Sequence, residues 1–412
     1  MLRRLHAKGF KSLVDLEIEF PLLTVLFGPN ASGKSNIIEA AQTISRCGTA
    51  RTLSDAFDQS IRGYPLEAFS FGPDGLAGHL RRGAVEMELD AVVGAQGDDY
   101  RYRVCVQAEP GTGDLATKDE YLARLTRQGD PWGRPVIERV ENRLRIRRKS
   151  KPAHPREEPT GGNHTMLSDL RLAGPEYAAI ERCRREFEEW RVYYLDPRVA
   201  MRAARPPAGV RDIGALGEDI APFLHRLRSD EPKRYAAVSR TLRSIIPSVD
   251  AVNVDLDERR ATLDIQIIQD GCSYSSRVIS EGTLRVLALC SICTNPWASG
   301  LVAFEEPENG VHPRRLELIA QMLVSLSLSQ GRQVIVTTHS PLFCDAVLRL
   351  TRDRREAVGL YAVRRDREGT KVTPFAEELG TLFVDTGLAD GLTSPAEDGL
   401  FQEMLLRGWL DE

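Results

Sequence analysis

Strand and helix periods change several times along this chain, and the changes divide it. Leu16, Ile18 and Phe20 alternate with Asp15, Glu17 and Glu19, the period of a half-buried strand. Residues 22–27 are apolar apart from Thr24, which predicts a strand covered on both faces. From Lys34 the period lengthens: Ile37, Ile38 and Ala41 share one helical face, so a helix is expected from there to about Ile44. Residues 84–93 and 100–107 are two more strand-like runs, and the Gly-Ala-Gln-Gly-Asp-Asp stretch between them predicts a hairpin. This β-rich lobe is expected to end near Gln107.

The middle of the chain reads differently. Residues 134–156 hold nine Lys or Arg against Glu138 and Glu141, and Pro, Gly and His then recur up to His164, the pattern of a loop. Helices are expected around 175–191 and 217–229, joined through Pro206 and Pro207. No heptad seam persists, which argues against a long coiled-coil arm, and no repeat of fixed period occurs.

The last third is α/β. Val252, Val254 and Leu256 alternate, a charged turn follows, and Leu263, Ile265 and Ile267 alternate again. A helix is expected from near Glu281. Apolar runs at 301–304 and 334–336 flank a helical pattern at 316–326, and strand, helix, strand at that spacing predicts a parallel sheet. The expected division is therefore an N-terminal lobe over 1–107, an inserted basic loop and helical region over 108–250, and a C-terminal lobe over 251–412. Residues 377–412 carry nine acids against Arg407, which reads as a solvated surface.

Composition narrows the class. Of 412 residues, 42% are apolar, enough to bury a core and exclude a disordered chain. The net charge of −4 disfavours a protein that coats nucleic acid through bulk positive charge. The seven cysteines are scattered rather than arranged as a disulfide framework, and Cys290 and Cys293 read as buried apolar residues rather than metal ligands. No apolar run reaches about 18 residues and no signal-peptide pattern opens the chain, so the expectation is a soluble cytoplasmic protein without a membrane span.

Four segments carry chemistry. Gly28-Pro29-Asn30-Ala31-Ser32-Gly33-Lys34-Ser35, continuing into Asn36, fits G-x-x-x-x-G-K-[ST] between a predicted strand and a predicted helix. Its glycines let backbone N–H groups curl around a phosphate, Lys34 would reach the β- and γ-phosphates, and the Ser35 hydroxyl would ligate Mg²⁺. Next, the apolar 301–304 run ends in Glu305 and Glu306, two carboxylates suited to holding a metal and activating water. His339, after the 334–338 run, would sit at the carboxyl end of a neighbouring strand, where it could sense a γ-phosphate or hold water. Finally, Ser280-Glu281-Gly282 opens a helix, a place where phosphate can bind.

The order of these segments resembles the ABC-type ATPase heads of the structural-maintenance-of-chromosomes (SMC), RecF and OLD-nuclease kind. More narrowly it is similar to the compact predicted-ATPase branch reading EEPENG, a hydrophobic residue, HP, then THSP. The matching residues here are Gly9-Phe10-Lys11-Ser12, the phosphate loop, Ser280-Glu281-Gly282, Glu305-Glu306-Pro307-Glu308-Asn309-Gly310-Val311-His312-Pro313, and Thr338-His339-Ser340-Pro341. The resemblance covers residues 1–45 and about 251–345. It implies a P-loop fold of ABC-ATPase head type with a helical insertion.

It also implies a homodimer that sandwiches two ATP molecules. Ser280, Glu281 and Gly282 of one copy would complete the site built on Lys34 of the other, and residues 309–312 would cross the interface. In that scheme Glu306 is the general base and His339 the switch residue, while Ser35 and Glu305 hold Mg²⁺. Glu305 stands where most relatives have Asp. The glutamine that usually bridges metal and water has Gln107 as its candidate.

The function expected is an ATP-hydrolysing switch coupled to DNA or to a partner effector, in DNA repair or defence against foreign DNA. Arg143, Arg145, Arg147, Arg148 and Lys149 are the candidate DNA contacts, though a solvated loop reads equally well. The alternative is a weakly hydrolysing ATP-binding scaffold that regulates a separately encoded nuclease, since no acidic nuclease cluster follows His339. A transporter subunit is argued against by the gap of about 245 residues between Ser35 and Ser280 and by EEPENG in place of DEPTS-like text.

Overall fold

The computed structural model describes residues 1–375, apart from 61, 62, 73, 82 and 299, together with Gly399. The acidic tail read at 377–412 therefore lies outside the described residues, Gly399 excepted. The chain divides into two compact units. The first comprises Met1–Pro21, Gly28–Trp190 and Tyr361–Phe375, and the second Leu22–Phe27, Arg191–Leu360 and Ala376–Glu412.

An antiparallel sheet organises the first unit. Its strands are β1 (Leu2–Phe10), β2 (Leu13–Glu19), β4 (Val85–Ala95), β5 (Asp98–Glu109), β6 (Asp114–Arg124), β7 (Ile137–Val140), β8 (Arg143–Ile146) and β9 (Arg156–Pro159), in the spatial order β2-β1-β4-β5-β6-β7-β8-β9. Helices α1 (Lys34–Cys47), α2 (Leu53–Ser60), α3 (Gly75–Leu80) and α4 (Ala178–Glu188) belong to the same unit. The alternation that predicted strands also fixes their buried face: Tyr100, Tyr102, Val104, Val106 and Ala108 of β5 are all buried.

Two readings change here. The sheet runs through Gln107, which pairs with Glu86 and Ala116, and continues for four further strands where the sequence placed a lobe boundary. The basic segment at 134–156, read as a loop, contributes β7, β8 and the first residue of β9. Its arginines face carboxylates across the strands: Arg143 and Arg145 reach Glu157 at 3.4 and 3.0 Å, and Arg147 pairs with Glu138. Short strands with charge on one face escape a reading that seeks apolar alternation.

A bulge in β6 has a thermodynamic consequence. The register jumps between Cys105 and Val106, leaving Lys118 as an extra residue on β6 and turning Glu120 rather than Asp119 inward. The Glu120 carboxylate is fully buried and accepts hydrogen bonds from the Met166 N–H at 2.6 Å, the Leu167 N–H at 2.8 Å and the Tyr102 hydroxyl at 3.2 Å. Burial outweighs these donors and pushes its pKa from 4.5 to about 7. Between those values the folded chain holds a proton that the unfolded chain has lost, so stability falls as pH rises through that window. Unfolding free energies from urea titrations between pH 5 and pH 8 should fall more for the wild type than for Glu120→Gln, by on the order of 3 kcal/mol. Parallel pH profiles for the two proteins would refute the assignment.

The second unit holds a parallel sheet. Its strands β10 (Arg191–Tyr193), β14 (Val302–Glu305), β15 (Val334–Thr338) and β3 (Leu23–Phe27) lie in that order, all parallel. Every residue of β3 and of β15 is buried, which is why both read as continuous runs. Strands β11 (Val249–Asp257), β12 (Thr262–Gln269) and β13 (Cys272–Ser275) form a separate antiparallel sheet. Helices α5 (Ile220–Asp230), α6 (Pro232–Ile245), α7 (Glu281–Thr294), α8 (Leu316–Val324) and α9 (Pro341–Leu350) complete the unit. Cys290 and Cys293 lie on α7, the first buried and the second partly so. Among the described residues, no helix is long and apolar enough to cross a membrane. A hairpin of β16 (Val358–Asp366) and β17 (Gly369–Pro374) follows and returns the chain to the first unit.

Candidate functional site

The phosphate loop is held by its own unit. Its last residues bend as glycine permits: Gly33 has φ +103°, and a methyl group there would meet the Thr370 Oγ1 at 2.1 Å. One at Gly28 would lie 2.2 Å from the Val363 carbonyl oxygen. Ala31 also takes a left-handed conformation, φ 65°, while Pro29, Asn30 and Ala31 are exposed. Lys34 is buried and curls back, its Nζ donating to the carbonyls of Gly28 at 2.7 Å and Pro29 at 2.8 Å. Ser35 and Asn36 follow it in the first turn of α1.

A relay of side chains pins the loop from outside. Asn36 Nδ2 donates to Ser12 Oγ at 2.7 Å, Ser12 Oγ and Thr370 Oγ1 are 2.7 Å apart, and Thr370 Oγ1 donates to the Ser32 carbonyl at 3.0 Å. Because the Thr370 hydrogen is committed to Ser32, Ser12 donates to Thr370. Beside it, Lys11 pairs with the buried Glu39. Ser12 came to light in the sequence only as part of a motif, and Thr370 carried no signal, being 338 residues from Ser32. Helix α1 starts at Lys34 with Gly33 as its N-cap and no side-chain cap, whereas Ser280 caps α7 and Ser340 caps α9. An uncapped helix start, a primary ammonium and a hydroxyl suit a phosphate group.

In the second unit, the acid-ended strand and its neighbour interlock. Glu305 closes β14 opposite Thr337, and Glu306 then takes φ +44°, an uncommon conformation for a side chain of its size. The Glu306 N–H donates to the Thr337 carbonyl at 3.0 Å. Both of its carboxylate oxygens are engaged: Oε2 accepts from Asn309 Nδ2 at 2.6 Å, and Oε1 lies 3.1 Å from His339 Nδ1. A carboxylate facing Nδ1 selects the tautomer that carries its proton there.

The helix that Ser280 opens lies against the same loop. Ser280 Oγ accepts from the Thr283 N–H at 3.2 Å, and Glu281 pairs with Arg198 at 2.8 Å. A methyl group at Gly282 would lie 2.2 Å from the Gly310 carbonyl oxygen, so only glycine allows this approach. Arg285, on the next turn, is partly buried, and burial lowers its pKa against the opposing pull of Glu281, Asp196, Glu306 and Glu308. Sequence reasoning assigned no role to Arg285 or Glu308. Gln107 sits in β5, two residues before the strand ends.

The proposed residues thus gather within each unit: Gly28, Lys34, Ser35 and Asn36 in the first; Ser280, Gly282, Glu305, Glu306 and His339 in the second. In the second unit, β3 pairs with β15 as far as Phe27 and Thr338, and the phosphate loop begins at the next residue of the chain.

A phosphate loop after a parallel strand, an acid-ended strand and a serine-led helix are together the marks of an ABC-type ATPase head, SMC- and RecF-like in its motifs. Comparison with known proteins agrees. Residues 23–345 match the family described as "AAA domain, putative AbiEii toxin, Type IV TA system", and the chain belongs to that family. DNA replication and repair protein RecF from two strains of Lactobacillus delbrueckii subsp. bulgaricus is 31% identical over 99 residues. That match spans 23% of this chain and 23% of RecF, so it bears on a part of each. The solved structure of the SmcHead bound to the C-winged helix domain of ScpA shares the fold at a TM-score of 0.50 with 14% identity, covering 92% of this chain and 99% of that one.

Proposed function

We propose that this chain binds and hydrolyses ATP as a head-to-head homodimer and uses that cycle to switch DNA or a partner effector. Lys34 and the N–H groups of the phosphate loop would hold the β- and γ-phosphates, while Ser35 and Glu305 would hold Mg²⁺. Both supply hard oxygen donors, and Glu305 is partly exposed at the end of β14. When bound, the metal neutralises phosphate charge. Glu306 takes the proton from the attacking water, His339 orients it, and Ser280 and Gly282 reach the γ-phosphate held by the other copy.

The observation that carries this reading is Glu306, turned out of the strand into a left-handed conformation and oriented at both oxygens by Asn309 and His339. Its helical neighbour is the segment that the dimer scheme requires. The coupling to DNA is supported by the partial match to RecF, a DNA replication and repair protein, while the family description names a putative toxin of a type IV TA system. DNA contact through Arg143, Arg145 and Arg147 loses weight, since Glu157 and Glu138 already face them. Arg148 and Lys149 remain as candidates.

One feature favours the alternative, a slow scaffold that gates a separate nuclease. Both Glu306 oxygens already face a hydrogen-bond donor, so the attacking water must share the carboxylate with Asn309 and His339. Light scattering tests the central claim. The measured mass should double with ATP and Mg²⁺ and return to 45.9 kDa with ADP. A mass that ignores the nucleotide would overturn the dimer switch.

A further inference from the structure

Glu308 has no part in the scheme above, yet it is the most constrained carboxyl group near Glu306. It is 5% exposed, and its Oε1 accepts from the Thr338 hydroxyl while its Oε2 finds no partner among the described residues. The same Thr338 hydroxyl oxygen accepts from the Ser340 N–H at 2.9 Å. Thr338 and Ser340 are the residues on either side of His339. We propose that Glu308 is a positioning residue: by gripping Thr338 from beneath, it fixes the His339 backbone so that the imidazole meets Glu306.

Three physical points support this. Two parallel ties join the same two loops, Glu306 to His339 on the exposed side and Glu308 to Thr338 on the buried side. The exposed tie alone is a weak restraint, because the His339 side chain is 45% exposed and free to rotate into water. A buried hydrogen bond has no competing solvent, and breaking it leaves a hydroxyl and a carboxyl unsatisfied. Burial also raises the Glu308 pKa, against the lowering effect of its hydrogen bond from Thr338.

The inference rests on the proposed roles of Glu306 and His339, so its test carries a readout independent of hydrolysis. In protein labelled with ¹⁵N-histidine, the His339 resonances, assigned by their loss in His339→Gln, report the hydrogen bond to Glu306. Glu308→Ala and Thr338→Val should each shift them toward the free-imidazole position, and the double variant no further, because both remove one tie. Glu308→Gln, whose amide oxygen still accepts from Thr338, should leave them in place.

In ATPase assays the two disruptive variants should lower kcat by about ten- to a hundredfold with KM unchanged, as expected when a catalytic group is misplaced. Glu308→Gln should stay within about twofold of the wild type. Unmoved His339 resonances in Glu308→Ala, or additive effects in the double variant, overturn the positioning role. Shifted resonances with no change in kcat would uphold the geometry and instead sink the role of His339 in hydrolysis.

Discussion

Glu306→Gln should bind ATP as tightly as the wild type and hydrolyse it at least about a hundredfold more slowly, the usual loss when a general base is removed. The amide preserves the shape of the side chain and keeps an acceptor for Asn309 or for His339, so the loop has no reason to refold. Its effect falls on proton acceptance, which an amide cannot perform. The proposed ATP-bound dimer should therefore persist, and light scattering after ATP addition should show a doubled mass that does not decay. Hydrolysis at the wild-type rate would reassign the base, with Glu305 the next carboxylate to examine. The trapped dimer is also the form in which to seek co-purifying nucleic acid or an effector protein.

Lys34→Ala should weaken ATP binding by at least about a hundredfold, because a buried ammonium facing phosphate oxygens contributes charge-assisted bonds that no neighbour can replace. Calorimetric titration would measure the loss. In the structure Lys34 is tied to the Gly28 and Pro29 carbonyls, so the substitution also removes two internal bonds. That change costs about 1–3 kcal/mol of stability if those carbonyls stay unsatisfied. A thermal melt without nucleotide separates the two effects, since a folded variant that no longer binds isolates the phosphate contact. Unchanged affinity would remove the phosphate loop from the account.

Much of the site is legible in the amino-acid sequence. The phosphate loop, the carboxylates after the 301–304 run and the serine at the helix start are local patterns whose chemistry depends on neighbours along the chain. Helix α1 begins at Lys34, and β14, α8 and β15 fall where apolar periodicity put them. The features that periodicity misses have a common cause. Strands β7 and β8 are short and charged, so their pairing depends on carboxylates across the sheet rather than on apolar alternation. The β6 bulge that turns Glu120 inward is a register event, and one extra residue leaves no mark in composition.

By itself, the sequence determined the strand-loop-helix around Lys34, the acid-ended strand, and the α/β character of the last third, because each arises from contacts within one or two turns or one strand. Only the tertiary structure decided that Thr370 closes onto Ser32, that Gly282 lies against Gly310, and that Glu308 grips Thr338. Those partners are 338, 28 and 30 residues apart. Over such separations loop-closure entropy opposes every pairing and favours none of these in particular, so no local pattern marks the right one, and the choice is made by the packing of the completed sheets and helices.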